Sequence, residues 1–168
     1  MITNEKGLSF RGLMPMDIAL LEKWYSMTDC FGYATGFKNF AEIKQRLLEP
    51  SRGEILISMI ELGASGKTIG FVYGEVKTAD SKKVLWIYTL IVEPAFQNKG
   101  YGTRAVNTLL HWARAKYGSI TCVVTVSEKN PRGLSFWRKT GFTRSMGLEG
   151  SLSQIGSSGV AILKKKIG

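Results

Sequence analysis

The segment from Val84 to Val126 constrains the fold more than any other, because its hydrophobic period changes twice. "VLWIYTLIV" is an apolar run interrupted only by Thr89, too short for a helix and bounded by turn residues, which predicts a buried strand. The glycine-containing stretch "EPAFQNKGYG" follows. From Thr103 to Tyr117 the apolar positions Val106, Leu109, Leu110, Ala113 and Tyr117 recur at helical spacing, and Gly118 closes the segment. "SITCVVTV" then returns to a strand pattern. Strand, loop, helix, strand between neighbours of one sheet predicts a parallel, right-handed crossover.

The flanking segments fill out a mixed α/β (α+β) pattern. "GLSFRGL" alternates as a strand, and Ile18, Leu21, Trp24 and Tyr25 recur helically behind Asp17 as a cap. A second helix is expected with Phe40, Ile43, Leu47 and Leu48 on one face, capped by Asn39 and stopped by Pro50. "EILISMIEL", "TIGFVYGEV" and "KVLWIYTLIV" are separated by the turns "GASGK" and "TADSK", which predicts an antiparallel meander. "PRGLSFWRKTGF" reads as a short helix that starts on a proline and ends before Gly141. A glycine- and serine-rich stretch, Gly147 to Gly159, leads to a last strand, "VAILKKK", and could close over a ligand or serve as a hairpin loop. With 168 residues, 44% of them hydrophobic, the chain is expected to form a single domain over 1–168.

Composition excludes several function classes. The longest apolar run is far below the ~20 residues of a membrane helix, and "MITNEKGLSF" lacks a signal-peptide core. A soluble, cytoplasmic protein without a membrane partner is expected. Two cysteines, Cys30 and Cys122, and one histidine, His111, suit neither a disulfide framework nor a zinc site, so both thiols are expected to be reduced and no metal is expected. The net charge of +10 favours an anionic partner, although it also fits an ordinary solvated lysine surface.

Three phosphate-binding patterns compete. Gly63-Ala-Ser-Gly-Lys-Thr68 resembles the end of a P-loop, but the first glycine would fall on Glu61 and a strand follows where a helix is required. It is read as a hairpin turn. Gly100-Tyr-Gly102-Thr-Arg-Ala105 meets the dinucleotide spacing, yet "EPAFQNK" separates it from the strand and too little chain follows for a second half. The third pattern takes Gln97-x-x-Gly100-x-Gly102 as a diphosphate cradle. Amides at a helix start carry partial positive charge, glycines let phosphate oxygens approach them, and Lys99 and Arg104 add cationic charge.

With these residues the sequence resembles the GNAT superfamily of acyl-CoA N-acyltransferases. That family's strand, V-x-P, then Q/R-x-x-G-x-G/A opening a helix, matches Leu90-Ile-Val92-Glu-Pro94 and Gln97-Asn-Lys-Gly-Tyr-Gly102. Its later N-x-x-A/G-x-x-F/L-Y-x-x-x-G-F matches Asn130-Pro-Arg-Gly-Leu-Ser-Phe-Trp-Arg-Lys-Thr-Gly-Phe142. The resemblance implies a mixed, centrally splayed sheet of six to seven strands with about four helices. It implies acetyl-CoA as acyl donor, with Leu90, Ile91 and Val92 bonding the pantetheine arm and one of their amides, with Ile91 the candidate, polarising the thioester. Gln97, Asn98, Lys99, Gly100, Tyr101, Gly102 and Thr103 would receive the diphosphate, and Asn130 and Trp137 would line the cofactor arm. An amine would then attack the thioester in a ternary complex.

One position departs from that pattern. Trp137 stands where the family carries a tyrosine that can protonate the departing thiolate, and an indole N–H gives up no proton. Because a thiol has a pKa of about 8.5, release of the unprotonated thiolate forgoes only about 2 kcal/mol. Tyr88, Tyr101 and Ser135 are candidate substitutes. Glu75 is the preferred general base, ahead of Tyr88, Asp29 and Glu93. The expected partner is an amine, either a small molecule or a protein amine; nucleic acid is not favoured and a homodimer is allowed. An acyl-CoA-binding regulatory module is the alternative.

Overall fold

The computed structural model describes residues 2–3, 7–48, 54–153 and 159–168. In chain order it contains β1 (Ile2–Thr3), β2 (Leu8–Arg11), α1 (Ile18–Ser26), α2 (Thr28–Thr35), α3 (Phe40–Leu48), β3 (Glu54–Leu62), β4 (Lys67–Ala79) and β5 (Lys82–Val92). These are followed by α4 (Tyr101–Tyr117), β6 (Ile120–Ser127), α5 (Pro131–Lys139), β7 (Thr143–Arg144), α6 (Met146–Ser153) and β8 (Val160–Ile167). All described strands join one sheet in the order β1-β2-β3-β4-β5-β6-β8-β7. Six strands of four residues or more carry it, and the two-residue β1 and β7 extend its edges.

Every pairing is antiparallel except β5 with β6, the two strands joined through α4. The long crossover is what permits this parallel pair, since a tight turn cannot reverse the chain twice. The meander β3-β4-β5 forms as its turns predict.

Alternation along the strands sends side chains to two cores. On the back face Val72, Val76, Leu85, Ile87, Cys122, Val124 and Leu163 pack under Val106, Leu109, Leu110 and Ala113 of α4. On the front face Met59, Phe71, Tyr73 and Ile91 pack against Leu21, Trp24, Tyr25, Phe31, Phe40 and Ile43 of α1 to α3.

Caps behave in two ways. Asn39 Oδ1 accepts the Glu42 amide at 3.1 Å at the start of α3, as its position predicts, whereas Pro50 lies outside the described residues. Asp17 does not cap α1 with its side chain. Its carboxylate instead accepts the Met14 amide at 2.7 Å and a bidentate pair from Arg11 at 2.7 and 2.8 Å. Arg11 also donates to Glu61 at 2.5 Å, which ties the entry to α1 onto β2 and β3.

Two helices lie beyond those the periodicity predicts. α2 carries Gly32, a poor helix former, because the Phe37 ring covers it; a Cβ there would sit 2.3 Å from that ring. α6 carries Gly147 and Gly150, and Glu149 secures it by accepting the Ile162 amide at 2.9 Å and Arg144 Nε at 2.8 Å. α6 thus begins the stretch read from sequence as a loop; residues 154–158 are not described. Both thiols are free, and burial pushes the Cys122 thiol up to about 12.

Candidate active site

The site begins where two strands part. β5 and β6 pair from Val84 with Thr121 to Ile87 with Val124 and no further, although β5 runs on to Val92 and β6 to Ser127. Directly past the last pair, β5 is bulged against β4: Thr89 lies opposite Tyr73 and Ile87 opposite Gly74, which leaves Tyr88 as the extra residue. A bulge bends its strand and increases its twist, and this one turns β5 away from β6.

The bulge also decides which main-chain groups face the gap. Glu93 donates its amide to Ile69 of β4 at 2.8 Å, and the Ile91 carbonyl lies close over Gly70 of the same strand. Main-chain polarity alternates along a strand, so Leu90 and Val92 present their N–H and C=O groups to the gap. Ile91, named from the sequence as the residue whose amide polarises the thioester, points its main chain at β4 and buries its side chain in the front core. Of that tripeptide, Leu90 and Val92 turn their main-chain groups to the gap, and Ile91 turns its own to β4.

The loop from Pro94 to Gly100 brings a helix end to the mouth of the gap. Gly100 takes a left-handed φ of 82° and Asn98 one of 58°, which turn the chain into α4. Arg104 is the first to bond back, onto the Gly100 carbonyl at 3.0 Å, so the amides of Tyr101, Gly102 and Thr103 project from the helix end. A Cβ on Gly100 would meet nothing within 4 Å, whereas one on Gly102 would lie 3.1 Å from the Phe136 ring. The first glycine serves the turn, and the second lets α5 approach α4.

Several side chains expected at the diphosphate are engaged within the protein. Gln97 Nε2 donates to the Val92 carbonyl at 2.8 Å and closes the loop onto β5. Lys99 Nζ folds back to the Ala95 carbonyl at 2.8 Å. The Arg104 guanidinium lies 5.3 Å from the Tyr101 ring centre, with its Nε buried and unpaired. Asn130 caps α5, its Oδ1 accepting the Gly133 amide at 2.9 Å. Its Nδ2 is spare for a donor role. Trp137 is half-buried between Phe136 and Phe142, with ring centres at 5.2 and 5.0 Å.

On the front face Tyr88 and Glu75, the candidate acid and base, meet. The Tyr88 hydroxyl donates to Glu75 Oε2 at 3.1 Å, and Lys77 Nζ lies 3.4 Å from the same oxygen. Burial pushes the Tyr88 phenol up, partly offset by the Lys77 ammonium beside it, and the Tyr88 hydroxyl raises Lys77 in turn. Tyr88 therefore stays protonated at neutral pH. Lys77 was missed in the sequence, although two-residue spacing from Glu75 in a strand places both on one face. Asp29 is exposed on α2, and Glu93 follows β5.

The loop suits a diphosphate: three outward amides, a left-handed glycine and a cationic side chain stand together, and residues 94–104 contain no carboxylate. A family model for the acetyltransferase (GNAT) family matches residues 21–142. An uncharacterized N-acetyltransferase of Methanocaldococcus jannaschii is 26% identical over 94 residues, which cover 54% of this chain and 41% of that protein. The chain thus spans about two fifths of the curated relative it matches. Among solved structures, a domain from Methanocaldococcus jannaschii is similar with a TM-score of 0.72 at 16% identity, over 95% of this chain and 98% of that one. Spermidine N-acetyltransferase from Vibrio cholerae, solved in complex with CoA and spermine, is similar with a TM-score of 0.66 at 16% identity, over 98% and 96% of the two chains. At such identities the structural likeness establishes the fold. The family match covers well over half of the chain and takes in the parted strands, the glycine turn and α5 through Phe142, and by it the chain belongs to the acetyltransferase (GNAT) family.

Proposed function

We propose that this chain, acting as one acyltransferase domain, moves an acetyl group from acetyl-CoA to a primary amine by direct attack in a ternary complex. The observation that carries this reading is the gap between β5 and β6 past Ile87 and Val124, with the bare amides of α4 at its mouth. The amides of Tyr101, Gly102 and Thr103 hold the diphosphate. Leu90 and Val92 bond the pantetheine arm as a strand would, and one of their N–H groups polarises the acyl carbonyl. The donor contributes a thioester, whose C–S bond breaks as the new C–N bond forms.

The amine enters from the front face, where Glu75 takes a proton from its ammonium form, directly or through a water. Trp137, packed against Phe142, has no proton to give the leaving thiolate. Departure as thiolate, with solvent as the eventual proton source, costs only about 2 kcal/mol near neutral pH. That same tryptophan supports a second reading, an acyl-CoA-binding module that does not turn over.

Incubation with acetyl-CoA and a panel of amines, scored by free thiol and by product mass, separates the two. Thiol release with an acetylated product supports transfer, and tight CoA binding without thiol release supports the module. Thr103→Glu tests the cradle, because Thr103 is exposed and its substitution touches no packed ring. We expect CoA binding to weaken by at least about tenfold with an unchanged thermal midpoint. Unaltered CoA affinity in that variant would place the diphosphate elsewhere.

A further inference from the structure

Two cross-strand rows on the front face carry three lysines and a single carboxylate. Strand register sets Glu75, Trp86, Val123 and Lys164 side by side, and in the next row Lys77, Val84, Thr121 and Lys166. Paired residues project to one face, and the intervening Val76, Leu85, Cys122 and Leu163 belong to the back core, so both rows face front with Glu75 and Tyr88. Lys77, Lys164 and Lys166 are exposed. Lys165, between the last two, turns backward and donates to the Thr140 carbonyl at 2.8 Å, as alternation requires. Glu75, the one carboxylate in these rows, is already engaged by Lys77 and Tyr88.

Such a face does not suit a polycation. Rows whose one carboxylate has an ammonium 3.4 Å away, and whose far end three strands on carries two more lysines, attract anions and repel polyamines. Three strand spacings separate Lys77 from Lys166, roughly 14 Å, which an extended peptide crosses in about four residues. Building on the amine-acetylation reading, we propose that the acceptor is an amine on an acidic polypeptide, whose carboxylates, within about four residues of the reactive nitrogen, dock on Lys77, Lys164 and Lys166.

The test uses peptides that share one amine and differ in a flank of four glutamates, four serines or four lysines, with spermidine beside them. With acetyl-CoA at low salt, kcat/KM for the glutamate peptide should exceed that for the serine peptide by about tenfold, and the gap should close at about 0.5 M salt. The lysine peptide and spermidine should fall below both. The double variant K164E/K166E should reverse the order of the glutamate and lysine peptides, a change that general loss of structure does not produce. Anisotropy of labelled peptides on CoA-saturated protein reads the same preference without turnover. Selective glutamate-peptide binding with no thiol release from any amine would sink acetyl transfer yet uphold the docking face. Equal handling of glutamate and lysine flanks, or a preference unchanged in K164E/K166E, would overturn it. So would tighter binding of a single-stranded oligonucleotide of equal charge.

Discussion

At the scale of single residues, the cluster of Glu75, Lys77 and Tyr88 divides the candidate acid–base work. Tyr88, with its phenol pushed up by burial, is a hydrogen-bond donor to Glu75 at neutral pH and not a base. In the proposed reaction the proton acceptor is then Glu75, whose Oε2 is met by both Tyr88 and Lys77. Replacing Glu75 with Gln keeps the shape and one acceptor but removes the basicity. We expect kcat/KM to fall by about 10²-fold, with the largest loss at low pH, where more of the amine is protonated. A pH–rate profile from pH 6 to 9 that matched the wild type would take Glu75 out of this role. The glutamate and the tyrosine were legible from their strand positions; the ion pair was not, because the rotamers that join it are chosen only in the folded sheet.

At the scale of elements, the bulge in β5 shapes the site, and its sequence signature sits on the neighbouring strand. Gly74 of β4 packs beneath the Trp86 carbonyl, where a Cβ would lie 2.4 Å from that oxygen. Gly70 has the same relation to the Ile91 carbonyl. Gly74→Ala must therefore push β5 away or undo the bulge. We expect a loss of about 2–3 kcal/mol in denaturant unfolding and a larger proportional loss of CoA affinity, since the main chain facing the gap would be re-aimed. Affinity preserved alongside that destabilisation would separate the gap from the bulge. Both glycines are visible in "IGFVYGEV", but the sequence alone cannot say that they answer to two carbonyls on another strand. The start of α4 shows the opposite case: the glycine turn and the periodic segment behind it were readable locally, because the backbone conformation and amphipathic face are properties of contiguous residues.

At the scale of the whole molecule, Arg11 links the edge of the sheet to the helical layer, through Asp17 at the entry to α1 and Glu61 on β3. The hydrogen bonds from Arg11, ahead of the opposing effect of burial, hold the Asp17 carboxyl below the usual carboxylate range, and Asp17 raises Arg11 further. A depressed carboxylate contributes stability that is complete above its unfolded pKa of about 4 and is lost as pH falls through its folded value. The thermal midpoint of the wild type should therefore drop more steeply below about pH 4 than that of Asp17→Asn, with the two curves running parallel near neutrality. Parallel curves throughout would deny the pair this role. The sequence by itself determined the meander, the crossover, the glycine turn into α4 and the family, because period, turn chemistry and short motifs are encoded in neighbouring residues. Tertiary structure alone decided that β5 and β6 part past Ile87, that Ile91 turns from the gap, that α2 and α6 are helical, and that lysines of β4 and β8 share a face. Those outcomes depend on register and packing between segments far apart in the chain, and no local window of residues contains them.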